Sequence, residues 1–171
     1  MLFRSRVALN QPGAPGHGKL AANDDRTDPK VYERFHAEHF APDRIVDEAI
    51  AFVRQNRERP FFCYVPSTLP HLALQAPEAA IAEYAGKFAE TPYDGSRSYV
   101  PTPMPRATYA AMISRLDQHV GRILATLDEL HIAQNTIVVF TSDNGATHSP
   151  VGGTDVDFFR SEEHTSELQS P

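Results

Sequence analysis

Between Tyr109 and Leu130 the apolar residues Tyr109, Met112, Ile113, Leu116, Val120, Ile123, Leu124, Leu127 and Leu130 recur at spacings of three and four. That period places them on one stripe of a long helix, and a stripe of leucine and methionine is core packing rather than a cofactor site. A second helix opens at Pro42 and Asp43, where Ile45, Val46, Ala49, Ile50, Phe52 and Val53 supply an apolar face. Arg54, Arg57 and Arg59 suit the negative end of its dipole, and Pro60 stops it. A short third helix is expected over 78–84. Two other apolar runs have strand length instead. Phe61–Val65 lies between prolines, and Ile137–Phe140 comes after Asn135 and Thr136. Continuous runs of this kind read as strands buried on both faces of a parallel sheet. The order strand, long crossover helix, strand then predicts a parallel pair with a right-handed connection, in an α/β fold.

That order has a consequence for function. Ligands of open parallel sheets bind outside the carboxyl ends of the strands. The loop after Val65 carries Ser67, Thr68 and His71, and the loop after Phe140 carries Ser142, Asp143 and Asn144. Both groups are expected to face one cleft.

Composition narrows the options. With 171 residues, 41% of them hydrophobic, the chain can form a real core. A net charge of −6 gives no footprint for nucleic acid, and no apolar run is long enough to span a bilayer. The single cysteine, Cys63, rules out an intrachain disulfide framework and reads as a buried strand thiol among Phe61, Phe62, Tyr64 and Val65. From Asn10 to Asp28 the chain is rich in Gly, Pro, Asn and Asp and reads as a loop, with Asp24 and Asp25 solvated within it.

The two ends look foreign. Residues 160–171 show neither period nor apolar face and read like a translated sequencing adapter, Arg-Ser-Glu-Glu-His-Thr-Ser-Glu-Leu-Gln-Ser, while residues 1–5 match the reverse complement of the same adapter. The natural material is therefore expected over 6–159 as an internal piece of a longer gene, and His164 is assigned no chemistry.

Asp143 and Asn144 offer a carboxylate and an amide carbonyl, hard oxygens that suit calcium or magnesium far better than zinc. On their own, Asp143, Asn144 and Gly145 read first as a turn. Calcium takes roughly six to eight oxygens, so most donors must come from elsewhere. His71, between Pro70 and Leu72, is a histidine on a short loop, and facing an anion it would be protonated and neutralise that charge. His36 and His39 have the spacing of a metal pair but no third ligand. With His119 and His131 they read as structural or solvent-facing, while His148 is close enough in sequence to Asp143 to line the cleft.

The run RPFFCYVPSTLPHLALQAP, the helix YAAMISRLDQHVGRILATLDEL and the strand end NTIVVFTSDNG, in that order and together with ETPYDG and the GG before DFF, resemble the middle of a type I sulfatase of the alkaline phosphatase superfamily over about Pro42 to Phe159. The resemblance implies a partial, truncated doubly wound sheet, mostly parallel, with flanking helices. It also implies a sulfate ester substrate, calcium held in part by Asp143 and Asn144, and His71 as the histidine that contacts the sulfate and aids its transfer. Such enzymes carry a Cys-x-Pro-Ser-Arg motif whose cysteine becomes formylglycine, the nucleophile. Cys63 does not match it, because Cys63-Tyr64-Val65-Pro66-Ser67-Thr68 has proline one place late and no arginine. The early aspartate pair of the metal site, the nucleophile motif and a lysine expected shortly after the GG and DFF stretch are all missing from these 171 residues. A sulfatase parent and an inactive chain are therefore expected. The family also suggests export to the periplasm or beyond, and the sequence does not fix an oligomeric state. Three other readings stay open: a phosphoryl or phosphonate hydrolase of the same superfamily, which Asn144 in place of histidine disfavours; a non-catalytic protein that binds sulfated glycans; and a structural α/β segment whose turn residues bind nothing.

Overall fold

A computed structural model describes residues 19–35, 39–96 and 99–145. The adapter-like ends, the GG and DFF stretch, His36, His148 and His164 lie outside the described residues. Four α-helices organise them: α1 (Lys30–Glu33), α2 (Ala41–Asn56), α3 (Glu78–Ala82) and α4 (Pro105–Glu129), with a 3-10 turn after them at Ala133–Asn135.

Proline in the first turn starts both long helices, where its missing N–H costs nothing. Neither helix is capped by its own N-cap side chain. For α4 the carboxylate of Glu90 substitutes, accepting from the backbone N–H groups of Arg106 (3.0 Å) and Ala107 (2.8 Å). A negative group there also meets the positive end of the helix dipole. The C-terminus of α4 winds up in a Schellman motif: the Ile132 N–H donates to Leu127 O and the His131 N–H to Asp128 O, both at 3.0 Å. His131 occupies the left-handed position of that motif at φ 57°, where glycine would be unstrained.

α4 packs against both α2 and α3. Its contact with α2 is laced by ion pairs whose sequence separation is nearly constant. Arg115 donates to Asp43 through Nε (2.8 Å) and Nη2 (2.5 Å), with a separation of 72. His119 Nε2 meets Asp43 Oδ1 at 2.7 Å, Arg122 meets Asp47 at 2.5 Å and Arg54 meets Glu129 at 2.6 Å, with separations of 76, 75 and 75. Partners that advance together along both chains mean that the helices run parallel. Val46, Ala49 and Val53 of α2 and Ala107, Ala111, Met112 and Leu127 of α4 are buried, Met112 against Leu69 and Leu74. Each large one contributes about 1.5–3 kcal/mol by leaving water. The outer pairs are exposed and screened and add little.

The buried face of α4 takes in Met112 and Leu127 of the stripe that the three-and-four period predicts, together with Ala107, Thr108, Ala111, His119 and Thr126, which the stripe does not include. Ile113 and Leu124 of that stripe are each 41% exposed.

The largest departure concerns the expected strands. Phe61–Val65 and Ile137–Phe140 are extended but form no ladder, and the described residues contain only an isolated antiparallel bridge, Tyr93 with Thr102. Nor are the runs buried on two faces. Phe61, Cys63 and Val65 are half-buried, with Phe61 edge-on to Phe52 of α2, whereas Phe62 is 83% exposed and Ile137 92%. The physical reason is that an extended backbone cannot satisfy its own N–H and C=O groups, and no neighbouring strand among the described residues supplies partners. Cys63 is correspondingly half-buried rather than enclosed, and burial pushes its thiol up.

The helix pair and its C-terminal cap are both open to test. His119 is buried, its Nδ1 has no hydrogen-bond partner among the described residues, and burial lowers its pKa against the opposing pull of Asp43. The unfolded chain then takes up the proton more readily, so stability from this group is complete above about pH 6.5 and declines as pH falls through the lower folded value. Burial would raise the Asp43 carboxyl, but hydrogen bonds from Arg115 and His119 hold it below its usual range, so its own contribution is lost only at more acid pH. Chemical denaturation between about pH 7.5 and 5.5 should show a falling midpoint in the parent chain and a flatter profile in His119→Gln, which keeps a donor for Asp43 but does not titrate; equal slopes would exclude His119 as the source. His131→Gly should raise unfolding free energy by roughly 0.5–1 kcal/mol by removing left-handed strain, read from the same denaturation curves.

Candidate functional site

The loop that carries His71 is held from both sides by apolar anchors. Leu69 and Leu74 are buried with Met112 of α4, and Phe40, Leu72, Ala76, Tyr109 and Leu116 pack against that cluster. Ala73 packs on a second cluster formed by Leu20, Tyr32, Phe35 and Val100. Within the loop, Ser67 Oγ accepts from the Leu69 N–H at 3.1 Å, and the His71 N–H donates to Thr68 O at 2.8 Å. Serine and threonine after a strand-like run thus wind a tight turn. His71 itself is exposed, with its Nδ1 2.5 Å from Leu72 O. A carbonyl can only accept, so Nδ1 carries the proton in this arrangement and Nε2 is the ring atom left to meet a ligand.

Asp143 and Asn144 lie in an exposed bend beyond Phe140. Ser142 Oγ donates to Asn144 O at 2.7 Å, and Asn144 Nδ2 donates to Gly145 O at 2.9 Å. The amide nitrogen is thereby engaged and the amide oxygen is left for a ligand. As donors, an exposed carboxylate and an amide oxygen fit a hard cation, although as two of the roughly six to eight oxygens calcium takes. The described residues contain no cluster of three or more His, Cys, Asp or Glu side chains able to hold a metal.

Among the described residues no hydrogen bond or ion pair joins His71 to Asp143 or Asn144. The His71 loop is anchored by Leu69 and Leu74 in the core, whereas the 141–145 bend is shaped by short-range bonds of its own. Asp25 is an exposed loop carboxylate that accepts from Thr27 (2.7 Å through the hydroxyl), whereas Asp24, expected to be solvated, is half-buried and accepts from the Ala21 N–H (2.7 Å) and from Arg34 (2.5 Å). Both are held below the usual carboxylate range, Asp24 chiefly by Arg34 and Asp25 chiefly by the Thr27 side chain. No described helix is long and apolar enough to cross a membrane.

Sequence reasoning passed over Tyr99. It sits next to buried Val100 with φ 63°, and its ring lies edge-on to His71 with centroids 6.3 Å apart. No periodicity or motif marks such a residue, because its relation to His71 exists only once the loop between Tyr93 and Thr102 has closed.

The family model described as Sulfatase matches residues 14–169, an interval that extends through much of the adapter-like tail. N-acetylgalactosamine-6-sulfatase of Homo sapiens is 35% identical over 102 residues, covering 59% of this chain and 16% of its own length. Steryl-sulfatase of Mus musculus is 34% identical over 109 residues, covering 64% of this chain and 14% of its own. An uncharacterized sulfatase of Schizosaccharomyces pombe is 28% identical over 165 residues, covering 74% of this chain and 29% of its own. The chain spans less than a third of the length of these curated relatives.

Proposed function

The chain belongs to the sulfatase family, and from that membership we propose that residues 6–159 are an internal part of the catalytic domain of a sulfuric ester hydrolase. In this reading they contribute part of a calcium and sulfate site and no nucleophile. The observation that carries the reading is the parallel seating of α4 on α2 at a nearly constant separation of 72 to 76 residues. An extended apolar run comes after each helix, 61–65 or 137–140, so the same offset brings both runs into equivalent positions after parallel helices. Parallel helices before extended runs are what a doubly wound α/β sheet requires on one of its faces. We take the two runs as strands of an alkaline-phosphatase-like sheet completed by other parts of a longer protein. Exposed Phe62 and Tyr64, on the side away from half-buried Phe61 and Cys63, would then face a second helical layer.

Each candidate residue has its own share of the chemistry. Asp143 and Asn144 would hold calcium through oxygen, with further ligands from outside this chain. A bound calcium supplies positive charge that polarises a sulfate oxygen. His71, fixed through Nδ1, would present Nε2 to the sulfate and, when protonated, carry a compensating charge. Cys63 does not fit the formylglycine position: it is half-buried, its thiol is pushed up by burial, and proline and serine come after it at the wrong spacing. The nucleophile therefore lies outside this chain.

The purified chain should show no hydrolysis of an aryl sulfate with or without calcium; calcium-dependent turnover by it would sink the assignment of the nucleophile elsewhere. In a longer protein containing the flanking sequence, Asp143→Ala or His71→Ala should lower kcat/KM by roughly 10²-fold or more, as expected when a group stabilising transition-state charge is removed. Retained activity would remove the altered residue from the site. Amide hydrogen exchange gives an independent test of the sheet: amides of 61–65 and 137–140 should exchange rapidly in the chain alone and slowly in the longer protein.

A further inference from the structure

We propose that Tyr99 is a positioning residue for His71, fixing the imidazole so that Nε2 alone is presented to an anionic ester; this rests on the assignment of His71 to the sulfate site. The segment between Tyr93 and Thr102 is closed at its base by paired backbone bonds, Tyr93 N to Thr102 O at 2.8 Å and Thr102 N to Tyr93 O at 3.0 Å. Its near side is tied down through Asp94, whose carbonyl accepts from the Leu20 N–H at 3.0 Å and whose carboxylate accepts from Arg26 (2.7 Å) and the Ser96 N–H (3.0 Å). Its far side is tied down by Val100, buried with Leu20, Tyr32 and Phe35. Between these anchors Tyr99 stands at φ 63°. Holding a bulky side chain in a left-handed conformation is costly, so the surroundings must enforce it. That conformation sets the phenol ring against His71, with centroids 6.3 Å apart and planes inclined by 70°, inside the range of edge-to-face aromatic pairs.

The imidazole is thus constrained from two directions. Leu72 O holds Nδ1 at 2.5 Å, and the Tyr99 ring lies against the imidazole from a different part of the chain. A hydrogen bond to a neighbouring carbonyl selects the tautomer, but about the side-chain torsions an exposed histidine on a turn remains free to swing unless something packs against its ring. Tyr99 supplies that packing. Its hydroxyl is not needed for the contact, which is made by the ring.

The test uses this chain labelled with 15N in histidine and long-range proton–nitrogen NMR, with His71 assigned by its loss in His71→Gln. The parent chain should show His71 mainly as the Nδ1–H form. Tyr99→Phe should leave that population unchanged. Tyr99→Asn, which accepts a left-handed backbone with little strain but removes the ring, should let His71 pass to the Nε2–H form as the dominant tautomer, while backbone amide signals of α4 stay in place. An unchanged tautomer in Tyr99→Asn, or a loss in Tyr99→Phe as large as in Tyr99→Asn, would overturn the inference. Failure of the sulfate reading appears separately: a longer protein that keeps its aryl sulfatase activity in His71→Ala removes His71 from the site whatever the tautomer measurement gives.

Discussion

Asp43, in the first turn of α2, takes hydrogen bonds from both Arg115 and His119 of α4. One carboxylate thereby pins the register between the two helices, and with the pairs Asp47–Arg122 and Arg54–Glu129, which advance along both, it aligns them in parallel. A partly buried ion pair gains little net stability once desolvation is counted, but breaking it leaves an uncompensated charge, so it specifies an alignment more than it strengthens one. The buried apolar residues of the two helices, Val46, Ala49 and Val53 of α2 and Leu127 of α4 among them, provide the stabilisation. The segments beyond the two helices inherit this alignment. The run after α2 leads to the His71 loop, and the run after α4 leads to Asp143 and Asn144.

The same seating explains which surfaces are left uncovered. Helices satisfy their backbone internally and can stand as a pair, whereas extended segments must borrow hydrogen bonds from neighbours. Residues 61–65 and 137–140 have the composition of central strands but no strand beside them among the described residues, and so their side chains remain largely in solvent. Ile113 and Leu124 on α4 are likewise uncovered, on the outer side of its apolar stripe.

The two candidate loops differ in how they are ordered. His71 rests on a turn whose flanking leucines reach the core, and a second segment closes over it through Tyr99. Asp143 and Asn144 are shaped only by bonds within 141–145 and stay exposed. An exposed carboxylate beside an amide whose nitrogen is engaged keeps its oxygens available, which suits ligation by parts of a larger assembly.

Sequence determined the elements whose cause is local. The period of three and four specified α4, proline and arginine bounded α2, and the short helix at Glu78–Ala82 came out close to its expected place. The ordered motifs around His71 and Asp143–Asn144 identified the family that the matching model bears out over residues 14–169. Tertiary structure decided everything that depends on residues far apart in the chain. It buried His119 and small residues of α4 along with Met112 and Leu127 of the stripe while leaving Ile113 and Leu124 exposed, supplied Glu90 as a remote cap for its N-terminus, and set Tyr99 against His71. It also left the two strand-like runs unpaired among the described residues. Hydrophobic period and turn chemistry act over a few residues and can be read along the chain, whereas which carboxylate meets which helix, and whether a strand finds a partner, depends on which surfaces are brought together when the chain closes.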